Sequence, residues 1–222
     1  MKILCIIPSL PKDLHPDTLQ AILNQTHPIE ILVILPKKSP KRTLPGRVSD
    51  VLNEGLSHIK LEDFDYILRI DGDTLIPPNF LEENLKGNPD CRGKAGYAML
   101  IKVSTFLRLM NGKFHPDCDD SYLELKFMKE GASVVPWNVK PTHMLKKGTP
   151  HELTYFLYRG ELMYKLGYEP IHVLTSFTWT MWNLFTIFGY FGAIIKRKEK
   201  YDVADFVRHK QVRRLFERLK LP

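Results

Sequence analysis

The stretch YILRIDGDTLIPPNFLEENL, residues 66–85, decides the fold. Tyr66–Ile70 is a short, mostly apolar run that predicts a buried β-strand, and it ends at Asp71-Gly72-Asp73. Two carboxylates one residue apart on an extended backbone point to the same side, and the glycine between them allows close approach. Mg²⁺ and Mn²⁺ prefer such oxygen ligands. An isolated motif of this kind is more often a turn or a helix cap, but its place at a strand end favours a metal site.

Two strand-and-helix pairs precede this strand. Apolar runs at Lys2–Ile7 and Ile29–Leu35 predict strands, and apolar residues at helical spacing predict helices at Asp17–Gln25 and Val48–His58. The order strand, helix, strand, helix, strand predicts an α/β fold, with a mostly parallel central sheet and helices on both faces.

The ends of the three strands predict where a ligand binds. In open α/β sheets, ligands bind beyond the carboxyl ends of the strands. The segments Pro8-Ser9, Pro36–Lys38 and Asp71–Asp73 all follow such ends. We therefore expect these three loops to converge on one site.

A second acidic pair, Asp119-Asp120, opens a predicted helix that runs to Glu130. Two interpretations stand side by side. One carboxylate caps the helix and interacts with its positive end, or one of them accepts a proton as a general base. The remaining predicted elements are helices at Pro78–Leu85 and Glu152–Leu166, strands at Gly96–Val103 and Ser133–Val135, and loops at Lys37–Arg47 and Gly87–Gly93.

Composition limits the class of protein. A chain of 222 residues with 44% apolar and 26% charged residues can bury a core, which excludes disorder. Its three cysteines include no CxxC pair, so we expect neither a disulfide framework nor a thiolate zinc site. The N-terminal apolar run is too short for a signal peptide. A reducing cytoplasm is the expected compartment.

The ordered motifs from Lys2 to about Gly167 resemble the large family 2 of inverting glycosyltransferases, which have the Rossmann-like glycosyltransferase type A fold. Each motif is degenerate, but their order and spacing together are specific. The similar segments are ILCIIPSL, LQAILNQTHPIEILVI, VLNEGL, FDYILRIDGDTLIPPNFLEENL and HPDCDDSYLELKFMKEGASVV.

The resemblance implies a nucleotide-diphospho-sugar donor, a Mn²⁺ or Mg²⁺ cofactor, and inversion at the sugar. Asp73 matches the metal-ligating second acid, and Asp71 matches the first acid, which faces the metal or the nucleotide ribose. His143 resembles a histidine that approaches the metal or the diphosphate, although a surface histidine is the alternative. Asp120 matches the catalytic base, with Asp119 at the preceding acidic position.

The resemblance also implies residues that bind the donor. Pro8 and Ser9 match the turn around the nucleotide base, and Gly72 lies between the two donor-site acids. Arg47, in a basic loop, is expected to offset diphosphate charge, with a solvated loop as the alternative. The chain departs from the family at 36–39, where Pro-Lys-Lys-Ser replaces an acidic residue that recognises the base. The sequence therefore does not identify the nucleotide.

The C-terminal part combines an apolar segment with a basic one. Ile171–Ile195 contains no charged residue, and the 27 residues from Lys196 carry ten lysines and arginines against four acids. A single crossing would export the basic tail, against the positive-inside tendency. An interfacial helix with its basic flank on anionic lipid avoids this conflict. A true span and a buried helix are the alternatives. We expect a catalytic domain at 1–168 and a membrane-associating helical segment at 169–222.

The sequence thus favours a glycosyltransferase at the cytoplasmic face of the cell membrane. The expected acceptor is a lipid phosphate, a lipid-linked sugar or a glycan. One alternative is a nucleotidyltransferase acting on a sugar phosphate, which normally has a glycine-rich first loop that Pro8–Lys12 lacks. The other is a non-catalytic membrane or nucleic-acid adaptor. No aromatic RNA-binding module is recognisable, so nucleic acid is not an expected partner. The oligomeric state is not predicted.

Overall fold

Six strands form the central sheet in the order β2-β1-β3-β6-β5-β7. The computed structural model describes residues 1–9, 11–35, 44–93, 96–144, 153–175 and 181–219. Strands β1, β2 and β3 are parallel, as are β5 and β7, whereas β6 runs antiparallel to β3 and β5. The predicted α/β fold with a mostly parallel sheet is confirmed. The strands are β1 (Ile3–Pro8), β2 (Ile29–Ile34), β3 (Tyr66–Ile70), β5 (Cys91–Arg92), β6 (Ala98–Lys102) and β7 (Val134–Val135).

Among the residues that the structure describes, a two-stranded ribbon, five α-helices and two short 3-10 helices complete the first of two compact units, Met1–Lys147. In the ribbon, β4 (Thr74–Leu75) pairs antiparallel with β8 (Thr142–His143). Local signals set the helix ends, since Pro16 opens the first helix and Gly131, with φ 74°, follows the end of the fifth. The helices are α1 (Pro16–Leu23), α2 (Leu44–Leu56), α3 (Phe80–Leu85), α4 (Val103–Met110) and α5 (Asp120–Lys129).

Apolar layers cover both faces of the sheet, because successive strand side chains point to opposite sides. Leu4 and Ile6 of β1 pack in one layer with residues of α2, α4 and α5, whereas Ile3, Cys5 and Ile7 pack in the other with residues of α1 and α3. Strand β3 is buried along its whole length. The end of β3, where Asp71 lies, is therefore held on a rigid support.

The second unit, Gly148–Pro222, is helical. Its helices are α6 (Leu153–Lys165), α7 (Pro170–Thr175), α8 (Met181–Ile195) and α9 (Ala204–Leu219). The division into two compact units places α6 in the second unit. The sequence analysis placed the end of the catalytic domain later, at residue 168. Among the residues that the structure describes, no helix is long and apolar enough to cross a membrane.

Two sequence predictions differ from the structure in detail. The loop predicted at Lys37–Arg47 ends earlier, because α2 begins at Leu44 and accommodates Pro45 in its first turn. The loop predicted at Gly87–Gly93 contains the short strand β5. Within the apolar segment Ile171–Ile195, the described residues belong to α7 and α8, and 176–180 lie outside the described residues.

Candidate active site

The Asp71–Asp73 turn continues directly from β3 and is held by backbone hydrogen bonds. The Asp71 N–H donates to the Tyr97 carbonyl at 2.9 Å, and the Thr74 N–H donates to the Asp71 carbonyl at 3.2 Å. The Gly72 carbonyl accepts from the His15 N–H at 2.8 Å. These bonds fix the backbone from which both carboxylates project.

The ends of β1 and β3 approach so closely that the position between the two acids must be glycine. A Cβ added at Gly72 would lie 2.6 Å from Ser9 Oγ and 2.9 Å from Ser9 Cβ. Ser9 is buried and follows Pro8, the last residue of β1. Two of the three strand-end loops expected to converge are therefore in contact. The third, Pro36–Lys38, lies outside the described residues.

The β4–β8 ribbon brings His143 to the acidic turn. Thr74 pairs with His143 in the ribbon register, and the Met144 N–H donates to the Asp73 carbonyl at 2.9 Å. As a result, His143 Nε2 lies 3.1 Å from Asp73 Oδ2. Potential ligand atoms of Asp71, Asp73 and His143 all lie within 4.8 Å of one another. We call these three residues the acidic–histidine cluster.

The donor set of this cluster fits a divalent cation. Two carboxylates and one imidazole suit Mn²⁺, and the carboxylates also suit Mg²⁺. Burial raises the pKa of Asp71, the Arg69 charge opposes this, and the Asp73 charge raises the pKa further. A bound cation would offset the repulsion between the two acids.

Arg69 connects the acidic turn to the second acidic pair. Its side chain is 7% exposed, with Nη1 2.9 Å from Asp71 Oδ1 and Nη2 3.3 Å from Asp119 Oδ2. Nη1 also donates to the Gly96 carbonyl. Burial lowers the pKa of Arg69, but the charges of Asp71, Asp119 and Asp120 outweigh it and raise the pKa. The two acidic motifs thus share one buried cation.

The structure distinguishes the two acids at the start of α5. Asp119 occupies the N-cap position but makes no side-chain capping hydrogen bond, and its carboxylate is directed to Arg69 instead. Burial raises the pKa of Asp119 to about 6, with Arg69 opposing the rise. Asp120 is half-buried. Its Oδ1 accepts hydrogen bonds from the Ser121 N–H and hydroxyl and from the Cys118 thiol. Asp119 is thus a buried ion-pair partner, while Asp120 is more accessible.

The fold is similar to those of several solved enzymes. One is the catalytic domain of Drosophila β1,4-galactosyltransferase 7 complexed with xylobiose, with 17% identity, 69% of this chain and 72% of that chain covered, and a TM-score of 0.47. Another is S. aureus TarS 1–349, with 12% identity and a TM-score of 0.48. That match covers 89% of this chain and 73% of the TarS chain. A cytidylyltransferase from Leptospira borgpetersenii has 11% identity and a TM-score of 0.40. That match covers 89% of this chain and 92% of the cytidylyltransferase chain. At these values the likeness concerns the fold alone. No protein-family model and no curated protein matches the chain.

The structure thus gathers most of the site residues that the sequence identified. Pro8, Ser9 and Gly72 lie beside the acidic–histidine cluster, and Asp119 is joined to it through Arg69. Arg47 is exposed on α2, and the described contacts of the cluster do not include it. Sequence reasoning missed Arg69, although a single arginine within the apolar run Tyr66–Ile70 was a visible signal, since a buried charge needs a partner.

Proposed function

We propose that the chain is a metal-dependent glycosyltransferase that transfers a sugar from a nucleotide-diphospho-sugar to an acceptor hydroxyl or phosphate. One observation carries the proposal. The acidic–histidine cluster at the end of β3 is joined through Arg69 to buried Asp119, which directly precedes the more accessible Asp120 at the start of α5. A cation site and a proton acceptor on one sheet edge are the two elements that this transfer requires.

The donor end of the proposed site is the acidic–histidine cluster. Asp73, Asp71 and His143 would hold Mn²⁺ or Mg²⁺. When bound, the ion would neutralise the charge that develops on the leaving diphosphate. The turn at Pro8 and Ser9, fixed against Gly72, is proposed to border the nucleotide. Arg47, exposed near the start of α2, stays a sequence-based candidate for the diphosphate.

The acceptor end is the start of α5, where Asp120 is proposed as the general base. As the acceptor oxygen bonds to the anomeric carbon, the bond from that carbon to the diphosphate oxygen breaks, and when the acceptor is a hydroxyl its proton passes to Asp120. Attack opposite the leaving group inverts the anomeric centre. The hydrogen bonds from Ser121 and Cys118 all reach Oδ1 of Asp120, so they orient its carboxylate. The proposed acceptors are a glycan, a lipid-linked sugar or a lipid phosphate, at the cytoplasmic face of the cell membrane.

A thermal-shift screen of nucleoside diphosphates, with Mn²⁺ or with EDTA, tests the donor site. We expect at least one nucleoside diphosphate to raise the melting temperature only when Mn²⁺ is present, because the cluster binds the diphosphate through the ion. The Asp73→Ala variant should lose this shift. The control is Asp63→Ala, which removes an exposed acid paired with Lys60 at 3.5 Å and should keep it. The same metal-dependent shift in Asp73→Ala would contradict the assignment.

A further inference from the structure

Helix α8 has one packed side and one exposed side, and both are apolar. Thr186, Tyr190 and Ala193 are buried and recur at spacings of four and three residues. Leu184, Phe188, Phe191 and Ile195 recur at spacings of four, three and four, so they share another side of the helix. We call these four residues the α8 apolar stripe. Each member lies two residues, or about 200° of rotation, from a packed one.

The α8 apolar stripe is strongly exposed. The exposed fractions are 40% for Leu184, 61% for Phe188, 39% for Phe191 and 81% for Ile195. A helix that is apolar all round normally lies within a core or a membrane. A continuous apolar surface on a folded unit marks a binding surface.

Close helix contacts prevent α8 from rotating to bury this stripe. A Cβ added at Gly160 of α6 would collide with the carbonyl of Thr186, and one added at Gly189 would collide with the carbonyl of Leu157. The Tyr190 hydroxyl also donates to the Tyr168 carbonyl at 2.6 Å. Only the glycine-bearing side of each helix permits this approach, so the orientation of the stripe is fixed by the packing.

A basic segment begins where the α8 apolar stripe ends. Lys196, Arg197, Lys198 and Lys200 directly follow Ile195, are exposed, and are interrupted only by Glu199. Lys198 lies 3.6 Å from a Glu161 carboxylate oxygen, and the Lys200 ammonium lies 5.0 Å from the centre of the Tyr164 ring, so these two side chains are held against α6. An apolar stripe continuous with a positive cluster complements a surface that is negative outside and apolar beneath. Anionic lipid has that arrangement, and a second copy of the same positive segment does not.

We propose that the α8 apolar stripe binds in the headgroup–acyl boundary of an anionic membrane, with the Lys196–Lys200 segment on the lipid phosphates. Phe188 and Phe191 enter the boundary, where burying their rings removes apolar area from water. This inference is independent of the sugar-transfer proposal, because none of its residues belongs to the acidic–histidine cluster.

Vesicle flotation of the full chain tests the proposal. Binding to phosphatidylcholine vesicles that contain phosphatidylserine is expected at 0.1 M salt and should weaken at 1 M, where the Debye length falls from about 10 Å to about 3 Å. Phe188→Ser with Phe191→Ser should lower vesicle partitioning at least tenfold, since each change removes apolar area. The matched control is Leu23→Ser, which alters an apolar side chain that is 63% exposed in the first unit and should bind normally.

A charge variant tests the basic segment separately. Lys196→Gln with Arg197→Gln should weaken binding to phosphatidylserine vesicles about thirtyfold, from about fivefold per charge near an anionic surface. Lys2→Gln with Lys113→Gln, two exposed lysines of the first unit, is the control. Circular dichroism and the nucleoside-diphosphate thermal shift should be unchanged in all variants, which separates membrane binding from the donor site.

Two outcomes would overturn the inference. In the first, the chain fails to bind vesicles, and light scattering shows a dimer that Phe188→Ser with Phe191→Ser converts to a monomer. The α8 apolar stripe would then be a self-association surface. In the second, the chain is a monomer that binds neither anionic nor neutral vesicles.

Discussion

Replacing Arg69 tests the buried connection between the two acidic motifs most severely. Arg69→Met keeps much of the side-chain volume but removes the ion pairs to Asp71 at 2.9 Å and to Asp119 at 3.3 Å. Asp119 is only 4% exposed, so its carboxylate would lose its buried cation without gaining water. Removing one partner of a buried pair costs about 3–5 kcal/mol of unfolding free energy. We expect the melting temperature to fall by about 6–20 °C, from about 2–4 °C per kcal/mol in a chain of this size.

Denaturant unfolding of a double-mutant cycle measures this connection. Arg69→Met with Asp119→Asn should recover part of the loss, because the second change removes the charge left unpaired. The control is Arg108→Met, an exposed arginine on α4, which should stay within about 0.5 kcal/mol of the parent chain. The reasoning is refuted if Arg69→Met unfolds like the control, or if the two single changes are additive within about 0.5 kcal/mol.

Three further predictions concern the acids and the glycine between them. Asp120→Asn should retain metal-dependent nucleotide binding in calorimetry but lose turnover by about a hundredfold or more, the scale of a lost general base. Unchanged turnover would exclude Asp120 as the general base. Gly72→Ala should lower the unfolding free energy by about 1–3 kcal/mol, because the new Cβ crowds Ser9, and Ser9→Gly should relieve part of the loss; stability equal to the parent chain would contradict the close contact. Because the pKa of Asp119 is raised to about 6, the folded state holds its proton more tightly than the unfolded chain. The stability that this proton contributes is lost as the pH rises from about 4 to about 6. The unfolding free energy of the parent chain should therefore fall relative to that of Asp119→Asn over this window. If the difference between the two unfolding free energies does not change with pH, the raised pKa of Asp119 is refuted.

The order of elements was predictable because long periodic segments carry their own signal. The strand Tyr66–Ile70 was placed with its observed ends, and the predicted helices at Val48–His58 and Asp119–Glu130 correspond to α2 and α5. Hydrophobic runs that fill a sheet are visible in the sequence, because burial on both faces demands consecutive apolar residues.

The parts that the sequence did not predict depend on pairing between distant segments. Strands β4, β5 and β8 have two residues each, too few to show alternation. The ribbon that brings His143 to Asp73 therefore had no local signature, and the histidine was expected there only through the family resemblance. The ion pair of Arg69 with Asp119 joins residues fifty positions apart, which no local pattern specifies.

The membrane segment shows a different limit. Composition identified Ile171–Ile195 as apolar, but it could not tell which residues face outward. The observed exposure of Phe188 and Phe191 depends on helix packing at Gly160 and Gly189, because the close approach of the two backbones determines the rotation of α8.

Nucleotide-sugar turnover tests the central claim most directly. Nucleotide sugars that differ in base and sugar would be incubated with the full chain and with Asp73→Ala, in Mn²⁺ or in EDTA, and the released nucleoside diphosphate would be measured by chromatography. Water can replace the acceptor in this assay, so slow release is expected even without the natural acceptor. The account predicts release from at least one nucleotide sugar, dependent on Mn²⁺ and absent in Asp73→Ala. Release that persists in EDTA and in Asp73→Ala would contradict it. So would the absence of release together with pyrophosphate formation from a nucleoside triphosphate and a sugar phosphate.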